Sequence, residues 1–173
     1  MTVADLLTDA FGRVREAVHH AADGLTPGQL AFRPDNASNS IGWLVWQLTR
    51  IQDDHIADVA GTGQVWASAR DGVSWADRFG LPFAASATGY GHGAEAVAAV
   101  QVESAELLTA YYDAVHAATL DYLRGLSEAD LDRVVDAAWD PPVTLGVRLV
   151  SVITDDLQHA GQAAYLRGLI ERG

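Results

Sequence analysis

Residues 40–60 read SIGWLVWQLTRIQDDHIADVA, and the apolar positions in this stretch follow the repeat of an α-helix. Asn39 or Ser40 can cap the helix at its N-terminus, and Gly61 ends it. Leu44, Leu48 and Ile51 recur three or four residues apart, so they lie along one side of the helix, and His55 continues this stripe. The pattern predicts a helix that packs one face against other elements.

Three further amphipathic segments accompany this helix. They run from Val3 to about Ala22, from about Ala94 to Leu126, and from about Leu145 to Glu171. A short helix is predicted from Trp75 to Phe79, within a crossover of about 33 residues that separates the second and third long helices. Four long amphipathic helices with one long crossover predict an all-α four-helix bundle that forms a single domain over residues 1–173.

Composition excludes several classes of protein. The chain has no cysteine, so it can form neither a disulfide nor a thiolate metal site, and it has no cysteine nucleophile. It has no lysine, which excludes Schiff-base catalysis. A net charge of −12 disfavours binding to nucleic acid. No run of about 20 apolar residues could span a membrane, and no signal peptide is evident, so we expect a cytoplasmic protein.

Polar residues on the predicted core stripes are the candidates for a functional site, because ligand sites in helix bundles are built from inward-facing polar side chains. Asp155 and His159 lie one turn apart and can share an ion or a proton, although such a pair can equally be an ordinary hydrogen-bonded one. Gln47 and His55 are the inward candidates of the second helix. His92 lies between glycines, in either a mobile surface loop or a loop that closes over the bundle.

Three blocks of sequence resemble those of a known family. Residues 40–55, residues 88–92 (TGYGH) and residues 155–168 (DDLQHAGQAAYLRG) are similar to conserved blocks of the DinB-like superfamily. More narrowly, they resemble its actinobacterial branch of mycothiol-dependent S-transferase-like proteins. The likeness extends over nearly the whole chain.

The resemblance implies a divalent metal, often zinc or nickel, bound by one residue of the second helix and two of the fourth. Aligning the blocks places these ligands on Gln47, Asp155 and His159. Relatives usually carry histidine at the first position, and an amide oxygen is a poorer ligand than imidazole for zinc or nickel. Metal affinity is therefore expected to be weaker in this chain.

For function, the resemblance implies a thiol S-transferase, in which metal-bound mycothiol attacks a small electrophile. Arg50 and Arg167 could pair with an anionic group of the substrate or form ordinary surface ion pairs, and His55 and His92 are further candidates for binding it. The alternative is a bundle with a weakened or lost metal site that binds a small molecule without catalysis. A homodimer also stays open, since helix faces can pair between subunits, but no face is singled out by the sequence.

Overall fold

The computed structural model describes residues 1–173 except the side chain of Arg70. Each of its four long helices begins after a capping residue. The helices are α1 (Val3–Ala22), α3 (Ile41–Ala60), α6 (Ala105–Leu123) and α7 (Leu145–Ile170). A hydroxyl just before each helix accepts a hydrogen bond from the backbone N–H three residues later. These hydroxyls belong to Thr2, Ser40, Ser104 and Thr144.

Shorter elements connect the long helices. Three short helices are present, and two 3-10 turns cover Val65–Ala67 and Glu128–Asp132. The short helices are α2 (Pro27–Leu30), α4 (Trp75–Phe79) and α5 (Ala94–Ala99). Four short strands form two antiparallel pairs, namely β1 (Ala69–Arg70) with β2 (Val73–Ser74), and β3 (Val134–Asp136) with β4 (Val143–Thr144). The fold is thus mostly helical, with 63% of the chain in helices.

The long helices pack so that α1 and α3 each contact both α6 and α7. The core between them is apolar, and α3 is the most enclosed helix. Of its twenty residues, all of them described, Asp58 alone is exposed. Polar side chains on α3 are therefore held away from water, which makes any unpaired one costly.

Helices α3 and α7 run antiparallel, and two contacts fix their register. The rings of Trp43 and His159 lie 6.1 Å apart, and Arg148 hydrogen-bonds to His55 Nδ1 at 3.2 Å. Because both helices rise about 1.5 Å per residue, the residue one turn after Trp43 lies level with the residue one turn before His159. This register brings Gln47 to the level of Asp155.

The predicted third helix is interrupted in the structure. A single helix was expected from Ala94 to Leu126, but α5 ends at Ala99 and α6 begins at Ala105. Val100 and Val102 between them are both buried. Side chains two residues apart on a helix point about 200° away from each other. An extended segment is therefore needed to direct both valines into the core. Ser104 then caps the new helix.

The all-α prediction also missed the two strand pairs. Each strand has only two or three residues, too few for an alternating pattern to be detected. The predicted crossover is present between α3 and α5 and contains α4 at its expected position. Among the described residues, no helix combines the length and the apolar character needed to cross a membrane.

Candidate functional site

Gln47 lies on the enclosed side of α3, under the loop that precedes α5. Its side chain is 5% exposed, and its amide oxygen Oε1 has no hydrogen-bond partner among the described residues. A buried acceptor without a donor is unfavourable by about 1–3 kcal/mol unless something else fills its place. The amide oxygen of Gln47 is therefore free to bind a ligand.

The loop covers Gln47 through a glycine. Gly89 has a φ of +89°, which favours glycine, and a Cβ atom there would lie 2.7 Å from Cγ of Gln47 and 3.0 Å from the Trp46 ring. The backbone of the loop thus lies directly on the Gln47 side chain. A larger residue at position 89 would displace the loop or the glutamine.

His159 has one ring nitrogen committed to its own helix. Its Nδ1 is 2.9 Å from the backbone carbonyl oxygen of Asp155, which can only accept a hydrogen bond. In the neutral ring, Nδ1 therefore carries the proton and Nε2 keeps its lone pair. A carbonyl that fixes the tautomer in this way is common behind histidines that bind metals.

Asp155 contributes the third atom. Its side chain is half-buried, and its Oδ2 is enclosed with no hydrogen-bond donor in the described structure. Its other oxygen lies 3.7 Å from Nδ1 of His159. The helix pair α3–α7 therefore presents three acceptors, from Gln47, Asp155 and His159, on neighbouring turns.

His92 joins the site from the loop. Its Nδ1 accepts a hydrogen bond from the indole N–H of Trp43 at 3.3 Å, and its ring stacks on Trp46 at 5.9 Å and contacts Phe83 at 4.6 Å. Burial lowers the pKa of His92 below its ordinary value. The ring is therefore neutral at physiological pH and carries its proton on Nε2.

Trp43 connects the loop to the helix pair, because its ring lies within 6.4 Å of both His92 and His159. Together with Trp46 it forms an aromatic wall beside Gln47. The sequence alone favoured a packing role for the tryptophans over a site role. The signal that could have placed Trp43 here is its spacing of one turn from Gln47.

The donor set fits a divalent cation only in part. It consists of two oxygens and one nitrogen, whereas zinc and nickel prefer more nitrogen or sulfur. No group of three histidine, cysteine, aspartate or glutamate side chains in the described part of the chain could hold a metal. The set nevertheless has an amide, a carboxylate and an imidazole on neighbouring turns of α3 and α7, which suits a cation bound weakly.

Arg50 lies in the core, about one turn after Gln47 on α3. It is fully buried, donates to the backbone oxygen of Ala87, pairs with Asp53 at 3.5 Å and lies over the Trp66 ring at 5.1 Å. It also contacts the hydroxyl of Tyr111. These contacts hold the crossover against α3 and leave Nη2 of Arg50 without a hydrogen-bond partner among the described residues.

Arg167 and His55 are separated from the three acceptors. Arg167 donates to the backbone oxygens of His20 and Asp23 and so connects α7 to the end of α1. It follows His159 by eight residues, or about 12 Å along the helix. His55 is two turns from Gln47 and pairs with Arg148.

Of the predicted residues, the structure brings together Gln47, Asp155, His159 and His92.

Asp156 was not a predicted site residue, yet it is the most enclosed acid near the site. It is completely buried, and neither of its carboxyl oxygens has a partner among the described residues. Burial, with a smaller contribution from Asp155, raises the pKa of Asp156 well above its ordinary value. Its place on the apolar stripe of Leu149 and Val152 was the signal that indicated its burial.

Comparison with known proteins identifies the family. The family model of the DinB superfamily matches residues 10–163. A crystal structure described as the conserved protein of locus from Enterococcus faecalis is similar over 100% of this chain and 99% of that one, with 32% identity and a TM-score of 0.90. A search of curated proteins found no match. The chain therefore belongs to the DinB superfamily.

Proposed function

We propose that the protein is a thiol S-transferase that binds a divalent cation, zinc or nickel, through Gln47, Asp155 and His159. Two observations carry this proposal: Gln47 Oε1 and Asp155 Oδ2 are buried acceptors without donors among the described residues, and His159, one turn from Asp155, has only its Nδ1 held by the helix. The choice of mycothiol as the thiol, and of a small electrophile as the second substrate, rests on the sequence resemblance alone.

Each residue of the site has a distinct role in this proposal. Asp155 supplies negative charge, Gln47 supplies a neutral oxygen, and His159 offers Nε2 because its Nδ1 proton is held by the helix. A divalent cation supplies Lewis acidity that lowers the pKa of a bound thiol. His92 and the two tryptophans beside it exclude water from one side of the site.

The transfer needs neither an oxidant nor a reductant. A bond forms between the thiol sulfur and the electrophilic carbon, the thiol proton passes to solvent, and the leaving group departs with its bonding electrons. Monochlorobimane is a suitable electrophile because its product is fluorescent and its leaving group is chloride.

The activity test uses the whole protein. It is purified without chelator, its metal content is measured, and it is loaded with zinc or nickel before a panel of thiols that includes mycothiol is offered with monochlorobimane. We expect conjugation to be faster than without protein, and slower again for Asp155→Asn and His159→Gln. No acceleration with any thiol would contradict the proposal.

Gln47→His tests whether the cation site is weakened or lost. Glutamine and histidine share Cβ and Cγ, so the close contact with Gly89 is retained in the variant. Imidazole is the better ligand, and we expect zinc affinity to rise at least about tenfold, measured by competition with a metal indicator. Gln101→His, at an exposed position, is the control and should leave affinity unchanged.

A second function is favoured by the same glutamine. A glutamine in place of histidine weakens the set for zinc or nickel, and this exchange is the observation behind a protein that binds a small molecule without catalysis. A cavity of about 360 Å³ lined by Trp46, Trp66 and Phe83 lies beside the aromatic wall and could take such a ligand. Protein without metal, and no gain of affinity in Gln47→His, would support this second function.

A further inference from the structure

None of the exposed residues on the outward side of α7 is charged over five turns, and the nearest carboxylate is that of Asp155, whose side chain is 37% exposed. Nine residues between positions 147 and 165 are exposed, and we call them the α7 stripe. The stripe consists of Val147, Val150, Ser151, Thr154, Leu157, Gln158, Gly161, Gln162 and Tyr165. It extends about 27 Å along the helix.

This neutrality is unusual for the chain, which has a net charge of −12. The exposed side of α1, a helix of similar length, carries Asp5, Asp9, Arg13 and Glu16. Two copies that approach through most acidic surfaces repel each other, whereas the α7 stripe itself adds no carboxylate to the contact and has only the partly exposed Asp155 at its edge. The charge pattern therefore favours contact between copies at α7.

Four of the nine stripe residues are large and apolar. Val147, Val150, Leu157 and Tyr165 are 57%, 58%, 43% and 66% exposed, respectively. Large apolar side chains aligned on one helix face remain in contact with water unless another surface covers them. Successive members of this group are three, seven and eight residues apart in sequence, which places them on one face of a helix.

Two features of the stripe suit a facing helix. Gly161 lies in the middle of α7, where glycine weakens a helix, and no atom outside its own neighbourhood lies within 4 Å of where a Cβ would be. Packing within the chain thus gives no reason for a glycine there. Beside it, a groove of about 660 Å³ is bounded by Pro34, Leu166 and Tyr165 and can receive apolar side chains.

We infer that the α7 stripe is the interface of a homodimer, in which two α7 helices cross antiparallel about a two-fold axis near Leu157. In this arrangement the small Gly161 lies level with Ser151 of the other copy, and Tyr165 lies level with Val147 of the other copy. The stripe holds both the protruding side chains and the groove that accepts them, as a two-fold interface requires. This inference is independent of the proposed function.

Leu157→Glu tests the interface, with Leu6→Glu as the matched control. Both leucines are exposed on a helix, but Leu6 lies on α1. Sedimentation equilibrium at about 1–100 µM should show a dimer for the unmodified protein and for Leu6→Glu. Near the axis the new carboxylates face each other, so Leu157→Glu should weaken association at least about 100-fold.

Circular dichroism will show whether each variant keeps its helices. A folded Leu157→Glu that still dimerises like the control would overturn the inference, and so would an unmodified protein that is monomeric at about 100 µM. The second of these results would assign the stripe to a different partner.

Cysteine variants give a second measurement that does not depend on weakening the dimer. The chain has no cysteine, so any introduced thiol is unique. Under mild oxidation Leu157→Cys should form a covalent dimer, because its two copies lie close to the axis, whereas Leu6→Cys should not. Equal cross-linking of the two variants would overturn the assignment.

Discussion

His19 is held between two carboxylates. Its Nδ1 lies 3.0 Å from Asp23 and its Nε2 lies 2.9 Å from Asp113. Because carboxylates only accept hydrogen bonds, both contacts are hydrogen bonds only when the ring is protonated on both nitrogens, so the pair of carboxylates favours the imidazolium form. Burial lowers the pKa of His19, but the hydrogen bonds to Asp113 and Asp23 outweigh it, and the pKa lies above its ordinary value.

This raised pKa predicts a pH-dependent contribution to stability. The stabilisation is fully present below the unfolded-state pKa of 6.5 and is lost as the pH rises through the higher pKa of the folded protein. His19→Gln should therefore lower the free energy of unfolding by up to about 1 kcal/mol at pH 6, a modest value because the ring is partly exposed.

Urea denaturation at pH 6 and at pH 9 measures this effect. The difference between His19→Gln and the unmodified protein should shrink at the higher pH. His20→Gln, on the exposed neighbour, serves as the control. A difference that is constant with pH would mean that His19 acts through packing rather than charge.

At the scale of elements, Asp53 holds the start of the crossover against α3 through hydrogen bonds. Its carboxylate accepts hydrogen bonds from the backbone N–H groups of Val65 and Trp66 at 2.8 and 2.7 Å and from the Tyr111 hydroxyl at 2.9 Å. Arg50 pairs with it from the same helix. One buried side chain therefore joins α3, α6 and the start of the crossover.

Asp53→Asn is expected to lower the free energy of unfolding by about 2–4 kcal/mol. The amide has only one oxygen for these donors, and the buried guanidinium of Arg50 loses its charged partner. Chemical denaturation measures the change. Asp54→Asn is the matched control, because Asp54 is only partly buried and bonds to Gln64. Similar effects of the two substitutions would contradict the role given to Asp53.

Helix ends were predictable because their causes are local. The cap at Ser40 and the stop at Gly61 were both evident in the sequence, and the structure confirms α3 between them. The break before α6 was not predictable from periodicity, because alanine and valine around position 100 continue a helical pattern. The break depends on where the core lies, which is a property of the assembled fold.

At the scale of the whole molecule, three facing polar positions could be found from spacing and alignment, but their surroundings could not. Gln47, Asp155 and His159 lie on stripes that the sequence shows. The burial of Arg50 depends on a crossover that folds back over α3, and sequence spacing does not describe that path. From the sequence, Arg50 could pair with an anionic group of the substrate or form a surface ion pair, and its complete burial excludes the surface position.

The net charge leads to a prediction about the proposed dimer. Each copy carries −12, and the α7 stripe contributes no ion pairs across the interface. Added salt screens the repulsion between copies, so the association constant should rise several-fold between about 0.05 and 0.5 M sodium chloride. Sedimentation equilibrium at several salt concentrations measures this trend. A decrease with salt would indicate ion pairs across the interface and would contradict a neutral stripe.

The contact between Gly89 and Gln47 also limits how this site can change during evolution. Position 89 must remain glycine, both for its backbone angle and because a Cβ would overlap the Gln47 side chain. Position 47 can vary, but a residue branched at Cβ would press a second group into the loop. A lineage can therefore exchange glutamine and histidine there in either direction without rebuilding the loop, so an amide and an imidazole at the proposed cation site lie a single substitution apart.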